Sequence, residues 1–375
     1  MTGCTKSRGE DVCWTLLHAD CLVAMQQMSP DSMDGIVTDP PYGLGFLGEE
    51  WDSFAKKHTG VPHAADQDAV RCVCGRDVSS ARRLPTRHKA SLALQSEATR
   101  WAQAMLRVAK PGAHLLVFGG ARTFHRLACA LEDAGWEIRD TLVWLYSDKR
   151  PKSQNLTGAW VGWGTALKPA FEPIILARKP LVGTVAANVE TYGVGALNID
   201  GCRTPVPAQP ASPGRWPANV LLDGDAGDQL DAQFGSRKSG VMRGGQQRRR
   251  SRGDGGYNGR MPDTTTRVDT YGDSGGVSRF FYCGRASTRE REDGVVGGNM
   301  HPTVKPLMLM RYLVRLIVPG GGTVFDPFAG SGTTGVACAA EGRSFLGVER
   351  EERFVAVAVQ RLQHAFGGTV YSEGV

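Results

Sequence analysis

Two short stretches hold residue types from which chemistry can be read. The first is Thr38-Asp39-Pro40-Pro41-Tyr42, directly after the apolar run Gly35-Ile36-Val37. The run predicts a buried strand, and the prolines end it because proline donates nothing to a sheet ladder. A carboxylate, two rigid peptide units and an aromatic ring then sit at a strand's C-terminal edge, where open α/β sheets bind ligands. The set suits a flat polar group. The Asp39 carboxylate and the Pro40 carbonyl accept hydrogen bonds, and the Tyr42 ring offers a face for stacking. An exocyclic amino group on a nucleobase, with two N–H donors beside a π-face, matches it.

The second stretch is Thr323-Val324-Phe325-Asp326-Pro327-Phe328-Ala329-Gly330-Ser331-Gly332-Thr333-Thr334. It reads as a strand, a glycine loop and the start of a helix. Glycines at 330 and 332 let the backbone approach a ligand closely at a helix N-terminus. Glu349 follows after one helix and one strand, at a strand end, where an acid in nucleoside-binding α/β folds takes ribose hydroxyls. The loop lacks the spacing and the Gly-Lys-Ser/Thr ending of a phosphate-binding loop. Asp326 would repel a pyrophosphate and suits a cationic ligand better. On this stretch alone, a tight strand–helix turn is the other reading.

The elements that must position these stretches form an α/β rhythm. Val12–Asp20 reads as a strand ending on an acid, Cys21–Met28 as a helix and 35–42 as the central strand with its turn. After a polar stretch over 51–90, read as a long loop or insertion, a helix is predicted over Ser96–Val108. Then come a strand at His114–Phe118, a helix at Arg122–Ala134, and strands at Ile138–Tyr146 and Phe171–Ala177. The rhythm returns with a helix at Leu307–Val318, the strand and glycine loop above, a strand at Ser344–Glu349 and a last helix over Glu351–Phe366. Strands alternating with helices imply a mostly parallel sheet with helices on both faces.

Between these halves, from Leu181 to about Asn299, the chain is rich in Gly, Pro, Asp and Arg. From Ser236 to Arg260 there are eight basic residues against one acid, a block that points to a polyanionic partner. The whole chain is milder: 375 residues, 44 basic against 38 acidic, 41% apolar, enough for a sizeable core. Nine scattered cysteines suggest free thiols in a reducing compartment, and no apolar stretch approaches the ~20 residues a membrane span needs. A cytoplasmic protein of a bacterial or phage-infected cell is expected. His58, His63, Cys72, Cys74 and His88 invite a zinc reading, but Cys-x-Cys lacks the usual gap and no second cysteine pair follows; no metal is expected.

Asp39-Pro40-Pro41-Tyr42 together with the 326–334 loop resembles the amino-group DNA methyltransferases, which use S-adenosylmethionine. The order of the motifs, catalytic before cofactor-binding, resembles the β class of that family. His18-Ala19-Asp20-Cys21-Leu22 is similar to the segment near the cofactor's adenine, and Lys168-Pro169-Ala170-Phe171-Glu172-Pro173 to a strand beside the target base. His301-Pro302-Thr303-Val304-Lys305-Pro306 looks like the segment over the methionine end of the cofactor, and Glu349 matches the ribose-binding acid. The resemblance covers about 12–180 and 300–366, and neither the 51–90 insertion nor the arginine-rich middle belongs to the family's common core.

The resemblance implies a Rossmann-like fold with a seven-stranded, mostly parallel sheet, while the composition of the middle stretch adds an irregular inserted recognition region. Together with that composition, the resemblance divides the chain into a catalytic part (1–180), a candidate target-recognition region, partly flexible (181–299), and a cofactor-binding part (300–375). It assigns catalysis to Asp39, Pro40, Pro41 and Tyr42. Cofactor contacts go to Asp20, Cys21, His301, Thr303, Lys305, Asp326, Pro327, Phe328, Gly330, Ser331, Gly332, Thr333, Thr334 and Glu349. Arg248, Arg249, Arg250 and Arg252 are candidates for DNA contact, Phe46 and Trp51 for walls of the base pocket, and Lys305 for the cofactor carboxylate. Double-stranded DNA is the expected partner, and a homodimer is an open expectation.

The chemistry agrees. A nucleobase amino nitrogen is a poor nucleophile because its lone pair is delocalised, and two acceptors held out of the ring plane would localise it by positioning and electrostatics. A base inside a duplex must first be flipped out, at a cost of a few kcal/mol. Methylation of a ring carbon would need Pro-Cys in the catalytic turn, and no cysteine here follows a proline. A protein-glutamine methyltransferase would have asparagine first and its cofactor loop upstream. Aspartate first leans toward adenine N6, with cytosine N4 and a catalytically silent DNA-binding protein as the alternatives.

Overall fold

The computed structural model describes residues 1–7, 10–43, 52, 86–147, 151, 153–206, 212–240, 272–284 and 288–367. In chain order its elements are β1 (Thr2–Ser7), β2 (Glu10–His18), α1 (Cys21–Gln27), β3 (Met33–Thr38), α2 (Thr86–Val108), β4 (Ala109–Phe118), α3 (Phe124–Asp133), β5 (Glu137–Leu145), β6 (Phe171–Arg178), α4 (Val185–Tyr192), β7 (Val220–Asp223), α5 (Gly224–Phe234), β8 (Arg237–Lys238), β9 (Ser274–Gly275), β10 (Tyr282–Gly284), α6 (Thr288–Glu292), α7 (Leu307–Ile317), β11 (Thr323–Asp326), α8 (Thr333–Glu341), β12 (Ser344–Glu349) and α9 (Glu352–Phe366).

The main sheet has the order β1-β2-β12-β11-β3-β4-β6-β5-β7-β10. β2, β12, β11, β3 and β4 run parallel, and β6 is antiparallel to both of its neighbours, β4 and β5. These seven strands are the expected sheet. β1 extends one edge antiparallel to β2, while β7 and β10 extend the other in parallel.

Helices cover both faces, as parallel strands require. Alternate residues of each central strand go to opposite sides: Val37, Leu116 and Phe118 join one core with Leu313, Ala358 and Leu362 of α7 and α9. Ile36, Leu115 and Val117 join the other with Met25, Trp101 and Leu131 of α1, α2 and α3. β3 is buried along its whole length, as the short apolar run predicts.

Two expectations are corrected. α2 begins at Thr86, ten residues before the predicted start at Ser96, because Ala93, Leu94 and Ala98 continue the buried stripe of Trp101, Ala102 and Met105. The 181–299 stretch is also not set apart from the sheet. Its apolar run Val220–Asp223 pairs with β5, and β10 pairs with that strand.

Cys13 is disulfide-bonded, against the expectation of free thiols, whereas Cys21, Cys129, Cys202 and Cys338 are free. No described helix is long and apolar enough to cross a membrane, and no metal-binding group of three His, Cys, Asp or Glu occurs among the described residues. Phe46, Trp51, His58, His63, Cys72, Cys74 and the arginines 248, 249, 250 and 252 lie outside the described residues, as does the side chain of His88.

Candidate active site

Strand order decides what meets at the C-terminal edge. β2, β12, β11 and β3 bring Asp20, Glu349, the glycine loop and Asp39 to that edge in sequence. β6, being reversed, starts there and presents Glu172 on the far side of Asp39. The stretches around Asp20, Asp39, Asp326 and His301 are remote in the chain, and all line one cavity of ≈ 1500 Å³. Tyr42 and Gly330 are both in its wall.

Asp326 ties the two chemical stretches together. It is 2% exposed. One carboxylate oxygen accepts from the Thr38 hydroxyl at 2.7 Å and the Phe328 N–H at 3.0 Å, and the other accepts from the Thr334 hydroxyl at 2.6 Å. Strand β3, strand β11 and helix α8 are thus clasped by one buried acid. Burial raises its pKa to about 6, even with those three donors opposing the shift. With these bonds Asp326 fixes the shape of the loop while lining the cavity.

The Asp39–Tyr42 turn is held at several points. The Thr123 hydroxyl donates to the Tyr42 carbonyl at 2.9 Å, and the Gly43 N–H donates to the Asp52 carboxylate at 2.7 Å. The Tyr42 hydroxyl donates to Asp39 Oδ1 at 2.7 Å, so its ring is fixed by the acid beside which it stands. Burial and the neighbouring carboxylates of Asp39 and Glu172 push the phenol pKa well up, which keeps it a donor.

Lys305, the candidate for the cofactor carboxylate, has three partners within the protein. Its Nζ lies 3.0 Å from Asp39 Oδ2 and 2.8 Å from Glu172 Oε2, and donates to the Tyr42 hydroxyl oxygen at 3.2 Å. The ammonium also stands 4.6 Å from the centroid of the Phe118 ring, a favourable cation–π position. Burial works against its charge, yet the two carboxylates outweigh that and raise its pKa. Asp39 is pushed up by burial, against the opposing pull of Lys305 and with a further upward contribution from Glu172. Each Asp39 oxygen keeps a lone pair beyond the bond it already accepts.

The glycine loop presents bare backbone. Gly330 and Gly332 have φ of +52° and +74°, and a Cβ on Gly330 would lie 2.8 Å from His301 Nε2. His301 stands over that glycine with its edge against Phe354 at 4.4 Å between centroids. Burial lowers the imidazole pKa to about 4, so it is neutral at pH 7. Its Nδ1 accepts from the Thr303 N–H at 3.3 Å, which leaves the ring proton on Nε2. Glu349, its pKa raised by burial, accepts from the Gly330 N–H and the Glu351 N–H, each at 2.8 Å, and fastens the end of β12 to the loop.

Asp20 caps α1, accepting from the N–H groups of Leu22 at 2.9 Å and Val23 at 3.4 Å. The buried Cys21 thiol beside it is pushed up to about 12 by burial. Pro40, Pro41, Pro327 and Phe328 line the cavity, while Gly332 stands behind its wall against Ala358. Ser331 and Thr333 are buried and face Arg361.

Sequence reasoning missed Arg361, Thr38 and the partnership of Glu172. The Arg361 guanidinium, on the buried face of α9, donates to the Ser331 carbonyl at 2.8 Å, the Ser331 hydroxyl at 3.1 Å and the Thr333 hydroxyl at 2.7 Å. An arginine inside the otherwise apolar face Val355, Ala358, Val359, Leu362 was the available signal, since a buried charge needs a bonded role.

Comparison with known proteins gives one family. The model of the N6/N4 DNA methylases matches residues 33–360. The Type II methyltransferase M.HindIII of Haemophilus influenzae is 24% identical over 92% of this chain and 94% of its own, and M2.DpnII of Streptococcus pneumoniae is 21% identical over 93% and 89%. Among solved structures, the M1.HpyAVI–SAM complex has a TM-score of 0.46 at 16% identity, covering 93% of this chain and 98% of its own. The cytosine-N4-specific PvuII DNA methyltransferase has a TM-score of 0.48 at 14% identity, covering 93% and 86%. With a match over most of its length, the chain belongs to the N6/N4 DNA methylase family: it is a DNA amino-methyltransferase whose methyl donor is S-adenosylmethionine.

Proposed function

We propose that the protein methylates the N6 amino group of adenine at a specific site in double-stranded DNA. The observation that supports this reading is the meeting of the aspartate-first turn, Asp39 to Tyr42, with the glycine loop in one cavity. At ≈ 1500 Å³ that cavity exceeds the roughly 300–1,000 Å³ of an ordinary ligand pocket, so a nucleoside-sized cofactor and an extruded base fit together.

The residues suit the cofactor on the structure's own terms. The unshielded backbone at Gly330, the spare lone pairs of Glu349 and the neutral His301 with its Nε2–H form a cradle for it. We assign cofactor contacts to Asp20, Cys21, Phe328, Gly330, Glu349, His301 and Thr303. Asp326, Ser331, Thr333 and Thr334 hold the loop's shape. Bound there, S-adenosylmethionine supplies an electrophilic methyl group on a sulfonium.

In this reading the Asp39 carboxylate and the Pro40 carbonyl accept the two amino N–H bonds, which draws the nitrogen toward a pyramidal geometry and frees its lone pair. Asp39, its proton affinity raised by burial, is the group placed to take the proton the nitrogen sheds. Lys305 keeps that carboxylate ionised beforehand, and Glu172 keeps Lys305 in place. The 181–299 stretch is assigned to target recognition, with Arg248, Arg249, Arg250 and Arg252 as its phosphate-binding cations.

Digesting DNA methylated by the purified protein to nucleosides tests the base. N6-methyladenine is expected, and finding N4-methylcytosine alone would reject the adenine claim. Asp39→Ala should abolish tritium transfer from labelled cofactor while cofactor binding survives; equal loss of both would mean that Asp39 is structural.

A further inference from the structure

Between β5 and β6 the chain makes an excursion in which every residue from Gln154 to Lys168 is exposed. It is nevertheless shaped from within. The Leu156 N–H donates to the Trp163 carbonyl at 2.9 Å, the Trp163 N–H to the Trp160 carbonyl at 3.0 Å, and the Thr165 N–H to the Ser153 hydroxyl at 2.9 Å. The Trp160 and Trp163 rings stand edge to face, 5.4 Å between centroids. These residues are large, apolar and in water: Trp160 is 56% exposed, Val161 75%, Trp163 62% and Leu167 92%. An ordered loop that holds such side chains outward marks an interaction surface.

Three observations select its occupant. The descending foot of the loop, from Thr165 to Glu172, walls the same cavity as Asp39 and Tyr42, so a molecule lying across the cavity mouth also lies against the loop. The sequence from Lys149 to Phe171 contains no acid and four basic residues, Lys149, Arg150, Lys152 and Lys168, a composition that suits a polyanion. Between them are rings with faces that stack on bases and apolar side chains of the kind that wedge into base steps.

We propose that this loop is a wedge for duplex DNA: Trp160 and Trp163 enter the base stack beside the target position and fill the space left when a base turns into the Asp39 cavity. The inference rests on the reading of that cavity as the seat of an extruded base. The wedge stabilises the opened duplex, so its contribution depends on how firmly the target base is paired.

The test uses the full-length protein and its recognised site, identified by modification-sensitive sequencing of DNA from an expressing cell. Methyl transfer is compared on a fully paired duplex and on one with an abasic position opposite the target base. For Trp160→Ala/Trp163→Ala, transfer to the paired duplex should fall about 10- to 100-fold, and transfer to the abasic duplex should stay within about threefold of wild type. Trp163→Ala alone should move the same way by less, and thermal unfolding should not change, because both rings are exposed. Undiminished transfer to the paired duplex, or equal loss on both substrates, overturns the wedge while leaving the cavity reading intact. So does a wild-type dimer that the double variant converts to an active monomer, since the loop would then join two copies. A wild-type protein that transfers methyl to neither duplex overturns the cavity reading and the wedge with it.

Discussion

Replacing Lys305 by methionine keeps most of the side-chain volume and removes the positive charge held between Asp39 and Glu172. The ammonium is 3.0 and 2.8 Å from those carboxylates, and the side chains are 11%, 22% and 20% exposed for Lys305, Asp39 and Glu172, so solvent screens the pair weakly. An opposite charge at such range lowers a carboxylate pKa by about 1–3 units. Its loss should raise Asp39 further, beyond the push of burial and of Glu172. Asp39 must be ionised to accept the amino group, so the acid limb of the rate profile moves to higher pH. The assay is tritium transfer to DNA across a pH series. Lys305→Met should show the limb displaced to higher pH, a high-pH plateau near wild type, and cofactor affinity within about threefold of wild type. The fold follows the sign of a raised carboxylate pKa: relative to wild type, the variant is least perturbed at low pH and loses stability as pH rises through the new Asp39 value. An unmoved acid limb with cofactor binding weakened tenfold or more would refute the reasoning, and would return Lys305 to the cofactor carboxylate.

Asp326→Asn keeps the acceptor for Thr38 and Phe328 and removes a buried charge whose pKa stands near 6 in the fold against 3.8 for an ordinary aspartate. Because the folded value is raised, the wild-type contribution is fully present below about pH 4 and lost as pH rises through 6; urea unfolding should therefore show wild type falling relative to the variant by about 3 kcal/mol between pH 4 and 7.5, and parallel curves would contradict the assignment. Arg361→Met removes the Nη1 group that donates to the Ser331 carbonyl and to the Ser331 and Thr333 hydroxyls, so cofactor affinity should fall at least about tenfold, with Arg361→Lys intermediate, while Asp39-dependent transfer at saturating cofactor falls less. Equilibrium cofactor binding beside saturation kinetics separates the two, and unchanged affinity would make Arg361 a packing residue alone.

Much of the site was legible in the chain because the informative residues are local in character. Prolines end a strand wherever they stand, glycines admit backbone conformations that other residues resist, and an apolar run bounded by turns is a buried strand in any context. Hence Asp39-Pro40-Pro41-Tyr42, the 326–334 loop and Glu349 at the end of β12 were placed on the right elements. The boundaries of β12 and α7 were read to within a residue. The start of α2 at Thr86 was not, because its buried stripe shows only beside the helices it packs on.

Partnership is a different kind of fact. Asp326 turns inward to Thr38 and Thr334 because β3 and β11, nearly three hundred residues apart in the chain, are neighbours in the sheet. Lys305 faces Asp39 and Glu172 because β6 runs backwards and brings its first turn to the catalytic edge. Arg361 reaches the glycine loop because α9 lies over α8. No single stretch of sequence contains these pairings: hydrogen bonds and ion pairs act over about 3 Å, and which side chains come that close is set by strand order and helix packing. The residue types and their backbone conformations belong to the chain; the ionisation of Asp39 and the shape of the glycine loop belong to the fold.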